Sequence, residues 1–306
     1  MYFPFLRGKQ FELEAIIELP NHVFNNTIPI IEPVNLPKRS LYSQICQRNF
    51  PVILIINPYH PQGSRKSMDE IQSLIDDKLT NQLNVIVGFL IDGRFSLTDF
   101  QLFINSNPNL SKAVIFRSNP VRNDLPAIQA ELRQNPVRYL IFDGNKTTQS
   151  TKNVFAFHND HVLLYDGFQR QDKNLNYPVA SAFDSIFDTW RIAGLAGCGD
   201  YVTIGDYFMP GGGQVRVVTI HITVNTENGL EVIHFSSTVN AGVSGLAAEK
   251  VVEAIDLLVH SPSVRPLQSV GLEILRSFHA SGHNPQLGAL KKASIMHHIE
   301  LMSSII

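Results

Sequence analysis

The sequence predicts an α/β protein whose mostly parallel strands form a TIM-barrel-like ring, with an antiparallel meander and C-terminal helices. Three observations predict it. Short apolar runs rich in Val, Ile, Leu and Phe recur without strict alternation, as strands buried on both faces do. Amphipathic stretches separate most of them, which is the rhythm of βαβ units. A late group of strands is joined by links too short for a parallel crossover, so it must double back. The alternative is an open mixed α/β sheet with the meander at its edge.

The elements follow in order. Residues 10–19 suit a first helix. The apolar runs are 28–33 (IPIIEP), 51–57 (PVILIIN), 84–92 (NVIVGFLID), 113–117 (AVIFR), 138–143 (RYLIFD) and 161–166 (HVLLYD). Ser67 and Glu70 make a capping box, with Ile71, Leu74, Ile75 and Leu79 following at helical spacing. Ser96 and Asp99 open a helix through Phe100 and Phe103, and 124–132 suits another that Pro136 stops. Phe183, Ile186, Phe187 and Trp190 form the stripe of a further helix. After Gly197 the pattern changes: 201–208 (YVTIGDYF), 215–224 (VRVVTIHITV) and 230–238 (LEVIHFSST) read as strands. Two reversals make the third parallel to the first. A closed ring of about eight parallel strands then results, with 215–224 as its antiparallel exception. From Gly242 the chain reads as helices, over 246–259, 264–278 and 287–302. The expectation is one domain over 1–306, with 243–306 as a helical segment packed on it.

Composition narrows the function classes. At 306 residues the chain can bury a large core without staples. With 44% hydrophobic and 17% charged residues it is globular. Its 25 basic and 27 acidic side chains give a net charge of -2, so nucleic acid is not indicated. Cys46 and Cys198 lie in no zinc-type spacing and read as reduced thiols. The start of the chain has Arg7 and Lys9 and no apolar run of signal-peptide length, and no stretch approaches a membrane span. The expected location is the cytoplasm, with no membrane partner.

Chemistry is expected where the apolar runs close. They end in Glu32, Asn57, Asp92, Arg117, Asp143, Asp166 and Asp206, and parallel strands present functional groups at their carboxyl ends. Glu32, Asp92, Asp143 and Asp166 are the candidate catalytic carboxylates, because clustered carboxylates serve acid–base work or a divalent ion such as Mg or Mn. The competing reading is that aspartate forms turns by bonding nearby backbone, as in Asp92-Gly93, Asp143-Gly144 and Asp166-Gly167. Glu32 is not a turn-former. Arg7, Lys9, Arg117 and Asp206 are the candidate ligand-binding groups. His221 and His234 face each other across the meander, which reads as a hydrogen-bonded core pair. Gly211-Gly212-Gly213 reads as a hairpin turn. His158 and His161 read as a polar turn, and His297 and His298 point too far apart to share a ligand.

The opening Tyr2-Phe3-Pro4-Phe5-Leu6-Arg7-Gly8-Lys9-Gln10-Phe11-Glu12-Leu13 resembles the start of the "beta protein" family of phages and bacteria. Ile30-Ile31-Glu32-Pro33, Tyr165-Asp166-Gly167-Phe168, Gly199-Asp200-Tyr201 and Ile220-His221-Ile222-Thr223 are similar to its later blocks. The resemblance spans most of the region from residue 1 to about 238. It implies a barrel-like fold, a smaller companion protein encoded nearby and a phage-defence setting. It also draws attention to Arg7, Lys9 and Glu12. Two functions follow as expectations: a metal-assisted hydrolase of a phosphate ester or nucleotide-type ligand, or a non-catalytic sensor or adaptor acting with a companion. The last helix, with Ile305 and Ile306 behind it, either packs at home or forms a homo-oligomer or companion interface.

Overall fold

A computed structural model describes residues 1–34, 39–58, 84–106, 108–183, 186–207 and 213–306. Contacts group the chain into two units, a first of Met1–Lys9, Phe24–Tyr165 and Ile186–Asp200, and a second of Gln10–Val23, Asp166–Ser185 and Tyr201–Ile306.

The first unit holds eight parallel strands: β1 (Phe5–Leu6), β2 (Ile30–Ile31), β3 (Val52–Ile55), β4 (Val85–Ile91), β5 (Ser111–Phe116), β6 (Tyr139–Asp143), β7 (His161–Tyr165) and β9 (Gly197–Asp200). Each pairs with the next in that order. The two edges meet at Tyr2, which bridges to Thr27 on one side and Cys198 on the other. Phe3 N–H donates to Cys198 C=O at 2.9 Å, and Cys198 N–H to Met1 C=O at 3.1 Å. The sheet is therefore a nearly closed barrel, which leaves few open edges. Strands β3, β4 and β6 are buried at every residue, as the unalternating apolar runs require. Between strands run α2 (Arg39–Gln47), α3 (Leu97–Asn105), α4 (Leu125–Gln134) and α5 (Gln149–Val154). Ser96 caps α3 by accepting from Asp99 N–H, as its sequence announces.

The second unit holds α1 (Gln10–Glu18), β8 (Ala180–Ala182), β10 (Thr219–Thr226), β11 (Gly229–Ser236), α6 (Ala247–Val259), α7 (Val270–Ser281) and α8 (Leu287–Ile305). Its three strands form a separate antiparallel sheet in the order β10-β11-β8. Ile220, Ile222 and Val224 pack with Val251, Ile255, Leu272 and Leu290 in one apolar core.

The fold class is as the sequence predicts, and β3 and β4 pair parallel. Four details differ. The eighth strand is Gly197–Asp200, and 201–208 does not form the expected strand: Val202–Ile204 is a 3-10 turn. The run 215–224 is not a member of the ring; β10 and β11 take β8 as their third partner. The stripe of Ile186 and Trp190 lies on successive turns rather than a regular helix. The last-but-one helix starts at Val270, later than the predicted 264. The capping-box helix at Ser67 and the glycines Gly211 and Gly212 lie outside the described residues.

The last helix packs at home. Leu290, Ala293, Ile295, Met296, Ile299 and Met302 are buried, and so are His297 and His298. His298 Nδ1 meets Thr223 Oγ1 at 2.7 Å, while His297 meets Ser269 Oγ at 2.8 Å and Thr223 C=O at 2.7 Å. Ile305 and Ile306 are half-buried. Among the described residues no helix is long and apolar enough to cross a membrane.

Candidate functional site: the carboxyl-terminal rim of the barrel

Parallel strands end together, so the residues that close them share one rim. In the first unit these are Arg7 after β1, Glu32 after β2, Asp92 after β4, Arg117 after β5 and Asp143 at the end of β6. The strand period of two puts Arg7 on the same face as Phe5. Both Arg7 and Arg117 lie over the Phe5 ring, with guanidinium carbons 5.2 and 5.3 Å from its centroid. Phe5 thus spaces two cations that would otherwise repel, in the geometry of a cation–π contact.

Glu32 is fully buried and forms an ion pair with Arg7. Arg117 also reaches Glu32, at 3.9 Å, and its Nε lies 3.6 Å from Asp143. Lys146 approaches the same Asp143 oxygen at 3.6 Å. The result is an alternating chain Arg7–Glu32–Arg117–Asp143–Lys146 along the rim. Burial, then the Arg117 guanidinium, hold the Lys146 pKa below its ordinary value, with Asp143 opposing them. Gly8 allows this closeness. It has φ +65, and a Cβ there would run into Tyr42 Oη and sit 3.1 Å from Glu32 C=O.

The three aspartates make the backbone contacts of turn-formers. Asp92 accepts from Arg94 N–H at 2.8 Å and pairs with the Arg94 guanidinium at 3.0 Å. Asp143 accepts from Asn145 N–H at 3.0 Å in addition to its two cations. Asp166 belongs to the second unit, where it accepts from Phe168 N–H at 3.3 Å and from Asp206 N–H at 2.9 Å. All three carboxylates thus bond the backbone N–H two residues on, as an Asx turn does. Asp206 meets Asp166 through its backbone. Lys9 is half-buried. Glu12 is buried in the second unit, 3.6 Å from Lys291.

A cavity of about 310 Å³ opens on this rim, lined by Leu90, Asp92, Arg94, Arg117, Ser118 and Lys146. Ser118 Oγ is buried there and has no hydrogen-bond partner among the described residues. Arg94, Lys146 and Ser118 are functional candidates that the sequence did not single out, since each lies just beyond a strand end rather than on it. Four cations (Arg7, Arg94, Arg117, Lys146) face three carboxylates (Glu32, Asp92, Asp143). A divalent ion fits this set poorly, because each carboxylate is already turned to a cation. Among the described residues the one three-ligand cluster of metal-binding spacing is Asp256, His260 and His279, exposed in the second unit.

Tyr2 and Asp200 meet at the seam of the barrel. Tyr2 Oη donates to the buried Asp200 at 2.8 Å, and burial together with that carboxylate push the phenol pKa well up. Cys46 and Cys198 are free and buried, and burial pushes both thiols up to about 12. Burial thus favours the thiol over the thiolate at both positions. No known protein family, curated protein or solved structure matches this chain.

Proposed function

We propose that the barrel mouth binds the phosphate group of a phosphate ester or nucleotide-type ligand and promotes its hydrolysis. The observation that carries this reading is the cavity edged by Arg94, Arg117 and Lys146, with the buried Ser118 hydroxyl facing no partner among the described residues. Guanidinium and ammonium groups suit phosphate oxygens, and Arg117 stands between Glu32 and Asp143 at 3.9 and 3.6 Å. Such preorganised positive charge stabilises a phosphoryl group as its charge redistributes. The carboxylates then act chiefly as anchors for these cations, with Asp92 at the cavity edge the one placed to orient water.

The test is calorimetric titration with inorganic phosphate and a nucleoside monophosphate, beside turnover of p-nitrophenyl phosphate with and without Mg²⁺ or Mn²⁺. Lys146→Gln should weaken phosphate binding by about 10-fold or more, the worth of one charge-assisted hydrogen bond. Wild-type protein that ignores phosphate at millimolar concentration would remove the proposal. Binding without turnover under any ion would make the barrel a sensor.

A further inference from the structure

The antiparallel sheet carries a hydroxyl, a base and an orienting ring in one line. His221 on β10 and His234 on β11 are directly opposite partners, so both side chains stand on one face. Their Nδ1 atoms lie 2.8 Å apart. The other nitrogen of His234, Nε2, lies 2.8 Å from Ser181 Oγ on β8. Ser181 is opposite Val232, two residues before His234, and so reaches it along the diagonal of the pleat. Tyr177 stacks on His234 with centroids 4.6 Å apart, and Phe168 meets His221 edge-on at 5.0 Å. These rings fix both imidazole planes.

The proton count follows from burial. Desolvation lowers His234 to about 4; desolvation and then the neighbouring His234 ring lower His221 to about 3. Two neutral rings with facing Nδ1 atoms share one proton. When His234 carries it, its Nε2 is a bare lone pair aimed at the Ser181 hydroxyl. A hydroxyl bonded to a base that a third group orients is the arrangement of an activated nucleophile.

The surroundings admit a substrate. Among the described residues β8 is the edge of its sheet. His234 N–H donates to Val179 C=O and Phe183 N–H to Leu230 C=O. The residues between them alternate, so Ala180 and Ala182 turn their N–H groups to the open edge. Both alanines are exposed and Ser181 is half-buried. The Ala182 N–H directly follows the nucleophile, a position from which a backbone donor reaches an oxyanion. Gln169 Nε2 holds Ala182 C=O at 3.0 Å and so steadies that peptide.

We propose that Ser181 and His234, positioned by His221, form a second reaction centre that takes the acyl group of carboxylic esters. Ser181 Oγ bonds the acyl carbon as its proton passes to His234 Nε2. The carbon–oxygen bond to the alcohol breaks, and the alcohol leaves with that proton. Water then gives a proton to Nε2 and bonds the same carbon. The acid departs, and Ser181 Oγ recovers the proton. The overall reaction consumes one ester and one water and yields one acid and one alcohol.

The full-length protein is treated with an alkyl fluorophosphonate, whose serine adduct forms with loss of fluoride and does not hydrolyse, and the adduct is mapped by peptide mass spectrometry. The expected result is one adduct, on Ser181, with p-nitrophenyl acetate hydrolysis lost in step with labelling. Ser181→Ala should abolish both. His234→Gln, checked as folded by thermal melting, should slow labelling about 100-fold or more, as loss of a general base does. An unmodified Ser181 in the wild-type protein overturns the proposal, and so does wild-type labelling in folded His234→Gln. The wild-type map decides the question even if a variant fails to fold.

Discussion

The Glu32 carboxylate pairs with Arg7 and Arg117, whereas Asp92, Asp143 and Asp166 each hold the N–H two residues on. That difference follows from side-chain length, since an aspartate reaches its own turn and a glutamate overshoots it. Glu32→Gln removes the carboxylate that Arg7 and Arg117 share. Urea unfolding should show a loss of about 3–5 kcal/mol, the cost of breaking a buried pair from one side. Lys250 poses the complementary case. It is fully buried, and its ammonium donates to the carbonyls of Val243 at 2.6 Å and Gly245 at 3.1 Å. Lys250→Met keeps the stem and removes its hydrogen bonds to those carbonyls, so stability should fall by about 1–3 kcal/mol in the same measurement. The sequence made Glu32, Asp92, Arg117 and Asp143 legible as strand-end groups, because each ends a clear apolar run. It hid how they are shared out. Arg7 and Glu32 are 25 residues apart and Tyr2 and Asp200 are 198 apart, and no spacing rule links residues across a ring. The His221–His234 pair was legible, since two strands joined by a short turn fix their own register. Ser181 was not, because its strand arrives from elsewhere in the chain.

Strand β9 shows why one element escaped a reading based on apolar runs. Its sequence is Gly-Cys-Gly-Asp, with little hydrophobic side chain to read. Space at the seam dictates this. A Cβ on Gly199 would run into Phe3 C=O, and one on Gly197 into Met1 C=O. Those oxygens belong to backbone and cannot swing away. Gly199→Ala should therefore cost about 3 kcal/mol, the upper end for overpacking, and lower the melting temperature. Helix α8 was legible as a helix over 287–302, but how it packs was not: polar residues occupy buried positions, and His297 and His298 are satisfied there by Ser269 and Thr223. Burial lowers His297 to about 4, below the ordinary 6.5. The folded state thus favours the neutral ring. Its contribution is complete above about pH 6.5 and shrinks as pH falls toward 4, where the unfolded chain binds the extra proton. At pH 5 the loss is about 2 kcal/mol for this one group. Urea unfolding of wild type and His297→Gln at pH 7.5 and pH 5 should show the gap between them narrowing at the lower pH.

Across the whole molecule the two units are interleaved along the chain rather than laid end to end. The first needs Met1–Lys9, Phe24–Tyr165 and Ile186–Asp200, and the second takes the stretches between and after them. A fragment ending at Tyr165 would carry seven ring strands and lack β9. It should unfold without a cooperative transition when followed by circular dichroism, since two strand edges stay open. The ring was legible from the repeated strand–helix rhythm. The interleaving was not, because hydrophobic pattern reports which face is buried and not with which partner. The bridge from Tyr2 to Cys198 also sets a clock. A ribosome adding roughly 5–20 residues each second needs on the order of ten seconds or more to make the segment that Tyr2 awaits. Until then the earliest strand has only one neighbour, and closing so distant a contact is a slow, high-contact-order event. Newly made protein should pass through an open-edged intermediate in which chaperones have time to act, and cells depleted of them should accumulate this chain as aggregate before they lose proteins whose contacts are local.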